Sequence, residues 1–135
     1  MLFNLFLALL LAAFATVVAY LINNRRTDSP SVPRSSLPIQ IDRCDFEIPE
    51  KKWLLVFFSS ESCASCKKVR ELLSDLQTGL IHIQEVNFPE GKTLHNRYGI
   101  ESVPIVLIAD SEGVVIWSYA GVPPKELISD VIAAL

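Results

Sequence analysis

Hydrophobic and polar positions divide the chain into an apolar opening, a polar spacer and an alternating remainder. Residues 2–22 are almost wholly apolar, and no side-chain charge occurs before Arg25. As a helix this run would be roughly 30 Å long, about the thickness of a bilayer's hydrocarbon core. Tyr20 lies near one end, where interfacial aromatics are common. The pattern predicts a single-pass anchor over residues 1–22 that contacts lipid through residues 2–22. Residues 23–36, with Pro30, Pro33 and few apolar side chains, read as a flexible linker.

From residue 37 to residue 135 the periods are those of a folded domain. Ile39 and Ile41 alternate with polar neighbours and predict a short strand. Residues 53–58 form an unbroken apolar run, as in a strand buried on both faces. Val69, Leu72, Leu73 and Leu76 then recur at helical spacing, with Gly79 as a candidate cap. Residues 80–88 alternate as a strand, and residues 92–98 suit a short helix closed by Gly99. Residues 104–108 predict a buried strand, residues 110–113 a tight turn, and residues 114–119 the hairpin partner. Residues 124–135 predict a final helix with Leu127, Val131 and Leu135 on its apolar stripe. The order β, β, α, β, α, β, β, α gives an α/β class with a mixed sheet flanked by helices.

The chemistry concentrates where the apolar strand meets the first long helix. Cys63-Ala64-Ser65-Cys66 occupies that junction, with Ser62 placed to cap the helix. Unpaired N–H groups and partial positive charge at a helix start favour a thiolate. Two cysteines three apart on a first turn can bring their sulfurs together, the layout of dithiol–disulfide exchange. Zinc is the rival chemistry for such a pair. Only Cys44, His82 and His95 could add ligands, none in a second paired motif, so no metal is expected.

Composition adjusts this picture in three places. The 135 residues allow one small domain plus an appendage. A formal net charge of -3 provides no general basic field, which disfavours nucleic acid as a partner. Mean hydropathy of +0.36 is high because of the opening run. Ala13-Phe14-Ala15 resembles a signal-peptide cleavage site, but no Lys or Arg precedes the run, which continues through Val17, Val18, Leu21 and Ile22. Arg25, Arg26, Arg34 and Arg43 follow the run, and this asymmetry favours a membrane location with the domain facing the cytoplasm over the outer face.

Residues 37–135 resemble the thioredoxin family through three features: FFSSESCASC at the strand–helix junction, YGIESVPIVLI over residues 98–108, and the Glu112-Gly113 turn followed by Gly121 and a last helix. The resemblance implies a cis Val103–Pro104 bond facing the cysteines, leaving the Val103 backbone to pair with a substrate strand. It further implies that Cys63 is the exposed nucleophile and Cys66 the buried resolving thiol. Ser62 and Ala64-Ser65 depart from the family's usual Trp before the pair and Gly-Pro within it. Phe57 stands where thioredoxins carry an Asp that helps deprotonate the second cysteine, and Glu85 stands where they carry Lys. Glu85 is therefore the candidate for proton transfer, its pKa raised by partial burial, against a plain reading as a solvated strand residue.

Other residues carry plainer readings. Lys67 and Lys68 add positive charge near the first turn or simply face solvent. Cys44 reads as an inert, partly buried thiol, with a third exchange cysteine as the alternative. His82 reads as an outward strand residue, His95 as helix surface, and Trp53 and Trp117 as sheet packing. The expected function is a membrane-tethered thiol–disulfide oxidoreductase that exchanges disulfides with protein substrates and a redox partner through Cys63 and Cys66. Its electrons reside on the two sulfurs, with no cofactor. The alternative is a thioredoxin-like binding or assembly module without enzymatic activity.

Overall fold

The computed structural model describes residues 1, 6, 10–11, 13–18, 37–76 and 79–135. Most of the expected anchor and all of the linker lie outside these residues. Residues 13–18 are helical, and among the described residues no helix is long and apolar enough to cross a membrane.

Four strands form one sheet in the order β2-β1-β3-β4. They are β1 (Trp53–Ser60), β2 (Ile81–Phe88), β3 (Ile105–Ala109) and β4 (Val115–Ala120). β1 pairs parallel with β2, Trp53 opposite Ile81 and Phe57 opposite Glu85. That arrangement needs a crossover, which helix α1 (Ala64–Ser74) supplies. β3 runs antiparallel to both β1 and β4, with an irregularity at Ile108 and Ala109 where the hairpin closes. Helices α2 (Lys92–Arg97) and α3 (Lys125–Ala133) complete the domain.

Alternation along β1 assigns its side chains to two cores. Leu54, Val56 and Phe58 join Phe46, Val86, Ile105 and Leu107 on one face, against which Leu94 of α2 packs. Leu55 and Phe57 join Val69 and Leu73 of α1 and Ile128 of α3 on the other. Because β1 is central and covered on both faces, its run is continuously apolar. Trp53 and Trp117 pack against the α1/α3 core, as expected.

Several local expectations are corrected. The strand expected at Ile39 and Ile41 is a single bridge, Gln40 to Val114, at the outer edge of β4. A 3-10 turn at Arg43–Asp45 follows at once, and Asp42 caps it by accepting from the Cys44 N–H. Buried Arg43 ties this segment down through the Asp110 and Lys51 carbonyls (2.6 and 2.7 Å). α1 ends at Ser74 with Asp75 as its C-cap, four residues before Gly79. In α3 Ile128 is the buried residue, with Val131, Ile132 and, past the helix end, Leu135 partly buried against the same core, while Leu127 is 41 % exposed. Gly99 does close α2 with a positive φ of 64°.

Candidate dithiol–disulfide site

β1 carries the chain to the sheet's end and α1 starts directly beyond it. Cys63, rather than Ser62, is the N-cap of α1: its Sγ accepts the Cys66 N–H at 3.2 Å. Ser62 instead lies beside Ser60, Oγ to Oγ 3.4 Å. Taking the capping position fixes the Cys63 sulfur over the first turn, where a helix presents its free N–H groups. Cys63 and Cys66 are joined in a disulfide with Cα atoms 5.3 Å apart. The Ser65 hydroxyl also lies against Cys63 Sγ, at 3.6 Å.

The two sulfurs differ in access. Cys66 is 1 % exposed and sits in the α1/α3 core with Phe57 and Val69. Cys63 is half-buried and lines an open cleft of about 590 Å³ with Ser60, Glu61, Ser62, Lys67, Arg70 and Asn87. On the β3 side, Val103 packs against the same core as Cys63. The Val103–Pro104 bond is cis, as the resemblance implies, and so is Phe88–Pro89. The sheet order thus sets the cleft and the Val103–Pro104 loop on opposite flanks of β1.

Glu85 stays exposed to solvent on its strand, as the plain reading has it, and its pKa is not raised. Arg70 grips its carboxylate through Nε and Nη2 (3.0 and 2.6 Å), and the fully buried Ser59 donates to Oε1 at 2.5 Å. The Arg70 hydrogen bonds, aided by that of Ser59, hold Glu85 below the usual carboxylate range and outweigh the opposing effect of burial. Sequence patterning placed Glu85 on the strand but missed Arg70 and Ser59. A Lys or Arg on the neighbouring helix is the signal that could have pointed to such a pair.

The remaining candidates lie apart from this cluster. Cys44 is a free, exposed thiol rather than a partly buried one, because the 3-10 turn points Arg43 inward in its stead. His95 is 5 % exposed, not on the helix surface: its Nε2 meets the Val86 carbonyl at 3.0 Å and its ring contacts Phe58 edge-on. His82 is half-buried, with Nε2 4.0 Å from Glu47. Lys67 and Lys68 are exposed, and Lys67 reaches the cleft. Among the described residues no group of three or more His, Cys, Asp and Glu side chains could hold a metal ion.

A mixed four-stranded sheet with a cysteine pair closing on the first turn of its crossover helix defines the class of thioredoxin-like dithiol–disulfide domains. The thioredoxin family model matches residues 39–134, and the chain belongs to that family. Its fold is similar to the crystal structure of thioredoxin from Malassezia sympodialis (Mala s 13). The two share 18 % identity and a TM-score of 0.53, over 62 % of this chain and 75 % of the other. No curated protein sequence matches this chain significantly.

Proposed function

We propose that this protein is a thiol–disulfide oxidoreductase acting on protein thiols and disulfides, with Cys63 as the entering thiolate and Cys66 as the resolving thiol. The observation that carries this reading is the asymmetry of the disulfide: one sulfur caps a helix at an open cleft while the other is buried. In the reducing direction, the Cys63 thiolate attacks a target disulfide and one target sulfur leaves as thiolate. Cys66 gives up its proton and attacks Cys63 Sγ; the Cys63–Cys66 disulfide forms and the second target sulfur departs. Two electrons pass to the target, and the reverse sequence oxidises it. The Val103 backbone beside the pair is the proposed edge against which a target strand lies.

The apolar pattern of residues 2–22 supports a further part of the proposal, that the domain is tethered to a membrane, and the arginines that follow the run, Arg25, Arg26, Arg34 and Arg43, favour its facing the cytoplasm. Cys66→Ser tests the chemistry: it is expected to accumulate a mixed disulfide through Cys63, which Cys63→Ser abolishes. If neither variant changes disulfide transfer to a reporter protein such as insulin, the oxidoreductase reading fails and a binding module takes its place. Labelling the domain in intact cells with a membrane-impermeant thiol reagent tests the orientation; labelling from outside overturns it.

A further inference from the structure

The cysteine pair of this chain encloses Ala64 and Ser65, and the second of these reaches back to the pair. Ser65 is the second residue of α1, half-buried, and its Oγ stands 3.6 Å from Cys63 Sγ. A disulfide sulfur carries no proton, so the hydroxyl is the donor and the sulfur the acceptor. The Cys66 N–H approaches the same sulfur at 3.2 Å. Two donors of one helical turn therefore converge on the atom that must carry negative charge once the disulfide opens.

We propose that Ser65 is a positioning residue that stabilises the Cys63 thiolate in the reduced protein. A hydrogen bond to a thiolate is charge-assisted and stronger than the same bond to a neutral sulfur. The hydroxyl therefore favours the reduced, ionised state over both the thiol and the disulfide. The charged groups around the sulfur are those of the cleft. Lys67 attracts a thiolate there, Glu61 repels it, and Arg70 is held by Glu85. None of them is hydrogen-bonded to Cys63, whereas Ser65 and the Cys66 N–H are. Phe57, beside Cys66 in the core, contributes no charge.

The inference rests on the oxidoreductase reading, and the experiment separates the two. In reduced wild-type protein, Ser65→Ala and Ser65→Thr, the Cys63 thiolate is titrated by its ultraviolet absorbance and by its alkylation rate. The potential of the pair is then measured against glutathione buffers across pH. Ser65→Ala is expected to lower the thiolate-to-thiol ratio about tenfold at a given pH, moving the titration midpoint up by about one unit. Above both midpoints its potential should lie about 30 mV more negative than wild type, the equivalent of that tenfold change for a two-electron couple. Below both midpoints the two potentials should converge, because no thiolate remains to be stabilised. Ser65→Thr, which keeps the hydroxyl, should restore the wild-type values. A couple whose midpoint and potential are unchanged in Ser65→Ala overturns the inference and leaves the oxidoreductase standing. So does a potential offset of the same size at every pH, which would mark a purely structural effect. The absence of any reversible two-electron couple in wild type overturns the oxidoreductase reading itself.

Discussion

Replacing Glu85 with Gln isolates the ion pair that ties α1 to the edge strand β2. In the native protein one carboxylate accepts two hydrogen bonds from Arg70 and one from Ser59. Gln keeps the shape but loses the charge, and where its amide N–H₂ faces Arg70 a donor meets a donor. Hydrogen bonds to charged groups contribute about 1.5–3 kcal/mol when shielded. Arg70 is 52 % exposed, so solvent screening reduces the expected loss to about 1–2 kcal/mol at neutral pH. For a domain of this size that lowers Tm by about 5–15 °C. Because the folded-state pKa of Glu85 is lowered, its contribution is complete above the unfolded pKa and is lost as pH falls through the folded value. The gap in Tm between wild type and Glu85→Gln should therefore narrow in acid. Thermal unfolding followed by circular dichroism at neutral and acid pH, with Arg70→Ala completing a double-mutant cycle, measures both effects. Equal gaps at the two pH values, or no coupling to Arg70, would refute the assignment. The same variant tests chemistry, since a carboxylate held ionised is a poor proton reservoir. The pH profile of disulfide exchange should survive Glu85→Gln, and a lost limb would give Glu85 a proton-transfer role after all.

Three more outcomes can be checked with the same methods. Tyr98 donates to Asp45 and accepts the Asp42 N–H (3.0 Å), and burial pushes its phenol up to about 12. A spectrophotometric titration should show one tyrosine ionising near that value, absent in Tyr98→Phe, with stability falling as alkali passes the unfolded phenol's pKa of about 10. Gly113 has φ 83° at the hairpin turn, and an added Cβ would meet the Ile41 carbonyl; Gly113→Ala should cost at least about 1–3 kcal/mol in denaturant unfolding. Cys44→Ser alters an exposed side chain and should leave exchange rates unchanged and stability within about 0.5 kcal/mol; slower exchange would make Cys44 a third exchange cysteine.

What could be read from the sequence follows from the range of the interactions involved. β1 and α1 are legible because their apolar periods are local and long, and the cysteine pair sits at the one place where the period changes. In α3, Leu127 and Ile128 fit an amphipathic stripe almost equally well. The choice of Ile128 is made by the surface of the sheet beneath it, not by the spacing. His95 fails for the same reason: a six-residue helix has too few turns to show which face is buried, and the Val86 carbonyl that receives its ring lies on another element. The 3-10 turn that follows the single bridge at Gln40 is tied down by Arg43 reaching the Asp110 carbonyl, a contact 67 residues distant in the chain.

Glu85 shows how this limit bears on mechanism. The resemblance to thioredoxins supplies a buried acid beside the second cysteine. This chain has Phe57 there, which invites a search for a substitute carboxylate on the neighbouring strand. The register does set Glu85 opposite Phe57, yet Arg70 and Ser59 claim that carboxylate and keep it ionised. No buried carboxyl is then left in the position from which thioredoxins assist Cys66. In the proposed mechanism, the proton that Cys66 loses during resolution passes instead to water entering the cleft or to the target thiolate that departs as the new disulfide closes. The second route makes resolution depend on the basicity of the leaving sulfur. Mixed disulfides with more basic target thiols should therefore resolve with a smaller rate penalty than leaving-group ability alone predicts.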